Sequence, residues 1–172
     1  MAKTKAEIFR TPKGVFKYCH LNKPDTKFKE DGEYSVTVLF DKDNPVVKKF
    51  LKQLDAKVEE AEATAQEQFD DATGKQKASW KKKGITEPTV HLPYEDEVDE
   101  DGEPTGNIVM RFKTRAAFKD RDGNTVKKVV PFIDGMGEMI PAKKRPLVYA
   151  GTTGRVAFTI RINFIPKDAE CF

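Results

Sequence analysis

The chain has 172 residues, a hydrophobic fraction of 38% and a charged fraction of 34%, which suits one domain with a modest core and a heavily solvated surface. No apolar run approaches the roughly 20 residues of a membrane-spanning helix, and the opening MAKTKAEIF lacks a signal peptide's apolar stretch, so a cytoplasmic setting is expected. The formal net charge of +3 hides an asymmetry: residues 108–167 carry 13 Lys and Arg against 4 Asp and Glu, the remainder 18 against 24, and a basic half of this kind points to a polyanionic partner.

Beyond a charged N-terminal arm, Val15 to Leu21 is rich in strand formers, and Asn22 to Asp25 reads as a turn built on Pro24. After the turn Asp31-Gly32, a second strand places Tyr34, Val36, Val38 and Phe40 on one face. The period then changes. Val47, Phe50, Leu51, Leu54, Val58, Ala61 and Ala65 form a stripe at helical spacing, and Asp43 or Asn44 ahead of Pro45 supplies a cap. This predicts one long inserted helix over about 44–70. Gly74 and Gly84 bracket five lysines and Trp80, which predicts a mobile basic loop. Seven carboxylates between Glu95 and Glu103 mark the solvated tip of an acidic hairpin loop over about 95–106, and their spacing does not match a calcium-binding EF-hand loop.

In RFKTRAAFKDRDG, residues 111–123, three cations alternate with Met110, Phe112, Thr114, Ala116 and Phe118. The apolar row is expected inside and Arg111, Lys113 and Arg115 outside. The chain then turns at Asp122-Gly123 and returns through TVKKVVPFID. GRVAFTIRINFIP alternates again, with Val156, Phe158, Ile160, Ile162 and Phe164 inward. The expected class is mainly β. Closing such strands into a barrel removes exposed sheet edges and is compatible with an OB-fold, a five-stranded Greek-key barrel, carrying one long inserted α-helix. An open sheet with a helix across one face fits the same strand count.

Catalysis finds little support. The stretch GMGEMIPAKK lacks the spacing of a phosphate-binding loop, there is no G-x-S-x-G, and neither Cys19 nor Cys171 has a suitably placed histidine partner. No CxxC or HxxxH pair accompanies His20 and His91, so no metal or other cofactor is expected and both thiols are read as reduced. Binding of single-stranded nucleic acid needs cations that track phosphates and rings on which bases stack. Phe16, Tyr18, Trp80 and Tyr149 lie near Lys17, Lys23, the Lys81 to Lys83 run and the Lys143, Lys144, Arg145 run, with Arg161 and Lys167 as further cations. For these four rings core packing and base stacking both stay open. Phe112, Phe118, Phe132, Phe158 and Phe164 fall on apolar faces and are assigned to the core.

Five pieces in order, YCHLNKPD, GEYSVTV, the long Lys/Glu/Ala helix, LPYEDEVDEDG and FKTRAAF, make the chain resemble the replication single-stranded DNA-binding proteins of short-tailed bacteriophages from about Ile8 to Lys167. The resemblance implies an OB-fold barrel, sequence-non-specific binding of single-stranded DNA in replication, recombination and repair, no cofactor, and phage DNA polymerase and helicase-primase as partners in the host cytoplasm. It leaves room for duplex DNA as a second ligand and for a homodimer. Lys113 matches a basic position on the family's DNA-binding strand, whereas Arg115 falls where an aromatic is usual, so stacking there is replaced by a guanidinium lying on a base, or lost. Family members also end in a long acidic tail closed by Phe. Here Phe172 is terminal with only Asp168 and Glu170 shortly before it, so that tail is missing from this sequence. The resemblance then implies tighter DNA binding, weaker discrimination against duplex and poorer partner recruitment than in a tailed form. The alternatives are an RNA- or duplex-DNA-binding barrel and a non-enzymatic adaptor whose basic face meets an acidic protein.

Overall fold

A computed structural model describes residues 7–27 and 29–172; the outer part of the charged N-terminal arm, residues 1–6, lies outside the described residues. The elements are β1 (Phe9–Arg10), β2 (Gly14–Asp25), β3 (Glu33–Asp41), α1 (Pro45–Asp70), α2 (Gly74–Lys83), β4 (Thr89–Val90), β5 (Glu95–Val98), β6 (Pro104–Arg115), β7 (Ala117–Lys119), β8 (Thr125–Lys127), a 3-10 turn at Ala142–Lys144, β9 (Thr153–Gly154), β10 (Ala157–Phe158), β11 (Phe164–Ile165) and β12 (Glu170–Cys171). The fold is mainly β with two helices, and its strands form the sets β1-β10, β11-β12-β4, β5-β6-β3-β2-β9 and β7-β8. The β1-β10, β11-β12, β2-β3, β2-β9 and β7-β8 pairs are antiparallel, and β12 and β4 run parallel. Among the described residues no ladder closes the five-stranded sheet into a barrel. No helix is long and apolar enough to cross a membrane among those residues.

The chain divides into two compact units. The first holds residues 7–12, Asp41–Ile108 and Arg155–Phe172. Its long helix starts as expected: the Asn44 side chain accepts a hydrogen bond from the Val46 N–H, and Pro45 sits in the first turn, where its missing N–H costs nothing. Val47, Phe50, Leu54, Ala61 and Ala65 are buried along one stripe, and each larger side chain among them contributes about 1.5–3 kcal/mol by leaving water. Phe50 meets the edge of Phe158 at 6.3 Å, and Phe9 lies 5.7 Å from Phe158. Further along the helix, Ala61 and Ala65 pack with Cys171, Val90, Ile162 and Phe164.

The expected basic loop is instead a helix. Thr73 and Gln76 form a reciprocal capping box at its start, and Gly84 closes it at φ 72°. Trp80 anchors α2 with only 1% of its surface exposed. Its ring stacks on Phe69 at 4.6 Å and meets the edge of Phe164 at 6.5 Å, while its indole N–H donates to the Pro166 carbonyl at 2.9 Å. Next to it the Lys83 ammonium donates to Asp168 at 2.8 Å, and that hydrogen bond holds the Asp168 carboxyl below its ordinary range. The acidic stretch is a hairpin tip, turning between β5 and β6 through Asp99–Glu103.

The second unit comprises residues 13–27, 29–40 and Val109–Gly154. Tyr34, Val36, Val38 and Phe40 are all buried, as their alternation predicts. Asn22 to Asp25 continues β2 rather than turning. Gly14 and Gly154 face each other across β2 and β9 because the space is taken: a Cβ on Gly14 would lie 2.5 Å from the Val38 Cγ1, and one on Gly154 would lie 2.7 Å from the Phe16 Cζ. On β6, Met110 is buried, Phe112 and Thr114 are half-buried, and Arg111, Lys113 and Arg115 are exposed. The predicted alternation breaks after Arg115. Ala116 and Ala117 are both buried, so the phase slips by one residue and Phe118, assigned to the core from sequence, is exposed in the β7-β8 hairpin.

Candidate nucleic-acid interface

The Ala116 N–H donates to the Gly32 carbonyl at one end of the β6-β3 ladder, and the Lys42 N–H donates to the Gly106 carbonyl at the other. Both bonds give the same antiparallel register, which sets Ser35 opposite Lys113 and Thr37 opposite Arg111. On the other side of β3, Thr37 pairs with Lys17 and Ser35 with His20. The outward face of the second unit therefore carries two rungs, Lys17-Thr37-Arg111 and His20-Ser35-Lys113. Each has a hydroxyl between basic side chains, and successive rungs are about 6.8 Å apart along a strand. The row beyond differs. Arg115 falls opposite Glu33, which pairs with Asp25 across β2 and forms an ion pair with Lys29, so its row holds two acids.

Between these two rungs β2 advances three residues, from Lys17 to His20, while β3 advances two, from Thr37 to Ser35. The extra residue makes a β-bulge. Within it Tyr18 takes φ 50°, a left-handed conformation that costs a non-glycine residue about 1–2 kcal/mol. The residue is 75% exposed, so the strain is not repaid by burial. Bulges commonly re-aim a side chain beside a binding surface, and here the side chain is an aromatic next to the cationic rungs. Cys19 follows it; partial burial pushes its thiol up, which keeps it neutral at pH 7.

A second segment is tied to β2. The Asn22 amide donates to the Pro146 carbonyl at 2.9 Å and accepts from the Val148 N–H at 2.8 Å. Further on, the Gly151 N–H donates to the Phe16 carbonyl at 2.9 Å. These bonds fasten residues 146–151 along β2, a segment that carries the exposed Tyr149 and directly follows Lys143, Lys144 and Arg145 in the chain.

Eleven of the fourteen residues singled out from sequence thus belong to the second unit: Phe16, Lys17, Tyr18, Lys23, Arg111, Lys113, Arg115, Lys143, Lys144, Arg145 and Tyr149. Trp80, Arg161 and Lys167 belong to the first. Two rings are corrected. Phe16 is 6% exposed and faces inward with Val38, its cross-strand partner, and Trp80 is enclosed as described, so neither offers a face to a base. Arg145 is half-buried with its guanidinium 5.4 Å from the centre of the Phe132 ring, which fixes it in place. Ser35, Thr37, His20 and Asn22 escaped the sequence reading. The strand pairing that makes them neighbours of cations is a long-range property, and only the alternation of β3 hinted that Ser35 and Thr37 face outward.

A face of this kind can hold an anionic polymer through cations and hydroxyls while offering rings to flat apolar groups. Comparison with known families makes the class specific. The family model described as "Single-stranded DNA-binding protein, Bacteriophage T7" matches residues 13–166, and the chain belongs to that family. Among solved structures, gp2.5, a single-stranded DNA-binding protein encoded by bacteriophage T7, superposes with a TM-score of 0.64 at 18% identity, covering 93% of this chain and 76% of that one. The single-stranded DNA-binding protein of bacteriophage Enc34, truncated at its C-terminus, gives a TM-score of 0.48 at 15% identity over 91% and 74% of the two chains. The same protein in complex with single-stranded DNA gives 0.45 at 16% identity over 87% and 72%. At these identities the likeness to the T7 protein is one of fold. No curated protein sequence matches this chain.

Proposed function

We infer that this chain is a sequence-non-specific single-stranded DNA-binding protein of phage replication, acting in the host cytoplasm as a non-enzymatic coat on DNA. Family membership supports the reading. The observation that carries it to particular residues is the strained, exposed Tyr18 set between the rungs Lys17-Thr37-Arg111 and His20-Ser35-Lys113. Phosphates lie against the rungs, with Lys23, Lys143 and Lys144 extending the basic track, and bases stack on Tyr18 and Tyr149. The binding sheet is an OB-type barrel wall, and the replication polymerase and helicase-primase are the protein partners, with a homodimer as the assembly. None of this needs a metal or an organic cofactor.

Tyr18→Gly separates function from stability. Glycine accepts the left-handed backbone without penalty, so the variant should be as stable as the parent or up to about 1 kcal/mol more stable in urea unfolding. Losing one stacked base should at the same time cost about 1–3 kcal/mol in oligonucleotide binding, a weakening of Kd by about 5- to 150-fold. Unchanged affinity in a folded variant would remove Tyr18 from the interface.

A further inference from the structure

Three hairpin tips in this chain share one construction. In Asp99–Glu103, Asp120–Asn124 and Asp134–Glu138 the leading aspartate's Oδ1 accepts hydrogen bonds from the backbone N–H groups two and four residues on, at 2.8–2.9 Å. Its carbonyl accepts from the glycine three residues on, at 3.1–3.2 Å, and those glycines have φ of 85°, 83° and 89°. Each is the three-residue loop that ends in a left-handed glycine. The middle position of the loop is Asp101 in the first, Asp122 in the second and Met136 in the third. All three are exposed, and Met136 is 87% exposed.

The turn therefore does not require an apolar residue there. Twice the same scaffold presents a solvated carboxylate, and once it presents a thioether to water. The third tip is also the one with apolar companions: Ile133 and Met139, which bridge across its base, are exposed as well. Its surroundings are basic. Residues 126–147 hold five Lys and Arg against Asp134 and Glu138, and the Asp134 carboxylate is occupied in holding the turn. The 3-10 turn carrying Lys143 and Lys144 follows directly, and Arg145 lies over Phe132, whose carbonyl closes the hairpin by accepting from the Ile140 N–H at 2.8 Å.

We propose that Met136 is a base-contacting wedge, placed by the Asp134 turn to enter the base stack of a bound single strand while Lys143 and Lys144 hold the adjoining phosphates. The proposal rests on the single-stranded DNA reading given above. A methionine suits the task because its polarisable sulfur packs well on aromatic faces and its unbranched chain adapts to any base, and apolar wedges beside cations are a general means of unstacking nucleic acid.

The test uses oligonucleotides carrying 2-aminopurine, whose emission rises when it is unstacked, with the unsubstituted protein, Met136→Asp and Met136→Leu. The aspartate variant copies the residue of the other two tips, so its fold is safe. Emission should rise with the unsubstituted protein and with Met136→Leu, and that rise should be lost with Met136→Asp. Affinity should fall about fivefold in Met136→Asp, the size of one sulfur–ring contact, and recover in Met136→Leu. Equal emission for all three proteins would overturn the wedge, and a dependence of self-association on Met136 in sedimentation would overturn it in favour of a contact between copies. Absence of binding by the unsubstituted protein at low salt would instead overturn the single-stranded DNA reading, and the wedge with it.

Discussion

Trp80→Ala is expected to destabilise the protein by about 3–5 kcal/mol, the cost of emptying a large aromatic site that cannot collapse. Everything around the ring argues for the upper half of that range. Its N–H bond to Pro166 is part-buried, its face is covered by Phe69 and its edge meets Phe164. In thermal unfolding the loss corresponds to about 10 °C for a chain of this size. Trp80→Phe keeps most of the apolar volume and should lose much less. Because Trp80 is the one tryptophan of the chain, its fluorescence reports this site alone. Emission should be that of a buried indole and should show no stacking quench when an oligonucleotide is added. Strong quenching, together with loss of affinity in Trp80→Phe, would return Trp80 to the interface.

Replacing Arg111 and Lys113 together by alanine should produce the largest functional loss. Each substitution removes one cation from an exposed position on the outward face. Counterion release for single strands gives a slope of about 0.7 per phosphate contact, so the double variant should lower the dependence of log K on log salt by about 1.4. At low salt the affinity should fall at least tenfold, by about the same factor for oligonucleotides of different base order. Arg115→Ala should do less than either, because Glu33 and Asp25 share its row and already offset its charge. A larger effect from Arg115 than from Lys113 would mean that the rungs have been assigned to the wrong end of the strand.

The parts of this fold that the sequence disclosed are those governed by local periodicity. The alternation of Tyr34 to Phe40 and of Met110 to Arg115 predicted which side chains are buried, and the stripe from Val47 to Ala65 with its Asn44 cap predicted α1. Glycines at both ends and a run of lysines suggest a loop where the chain forms a second helix. The local sign was there in Thr73 and Gln76, a capping box three residues apart. Alternation carried through Ala116 and Ala117 puts Phe118 inside, whereas these two small residues let the phase slip and leave it exposed. The run from Arg155 to Ile165 reads as one strand but supplies two short ones, β10 and β11, which join different partners.

The candidate interface was legible only in part. Exposed cations on β6 follow from alternation, and the resemblance to the family is what suggests a use for them. The bulge at Tyr18 does not follow, since it depends on how β2 and β3 meet over their whole length, and a tyrosine at φ 50° is the opposite of what local preference selects. The same holds for Asn22. Alone it suggests a turn, and only the folded chain shows its amide fastening the segment that carries Tyr149.

The central claim is that the cationic rungs and exposed tyrosines of the second unit hold an unpaired DNA strand irrespective of base order. It is tested most directly by titrating the protein with single-stranded DNA of several compositions, single-stranded RNA and duplex DNA, each at two salt concentrations. The predicted result is similar affinity for all the single DNA strands, weaker binding of duplex, and a steep loss of affinity with salt that Arg111→Ala and Lys113→Ala reduce. Tighter binding of duplex or RNA, a marked dependence on base order, or no nucleic-acid affinity at the lower salt concentration would contradict it.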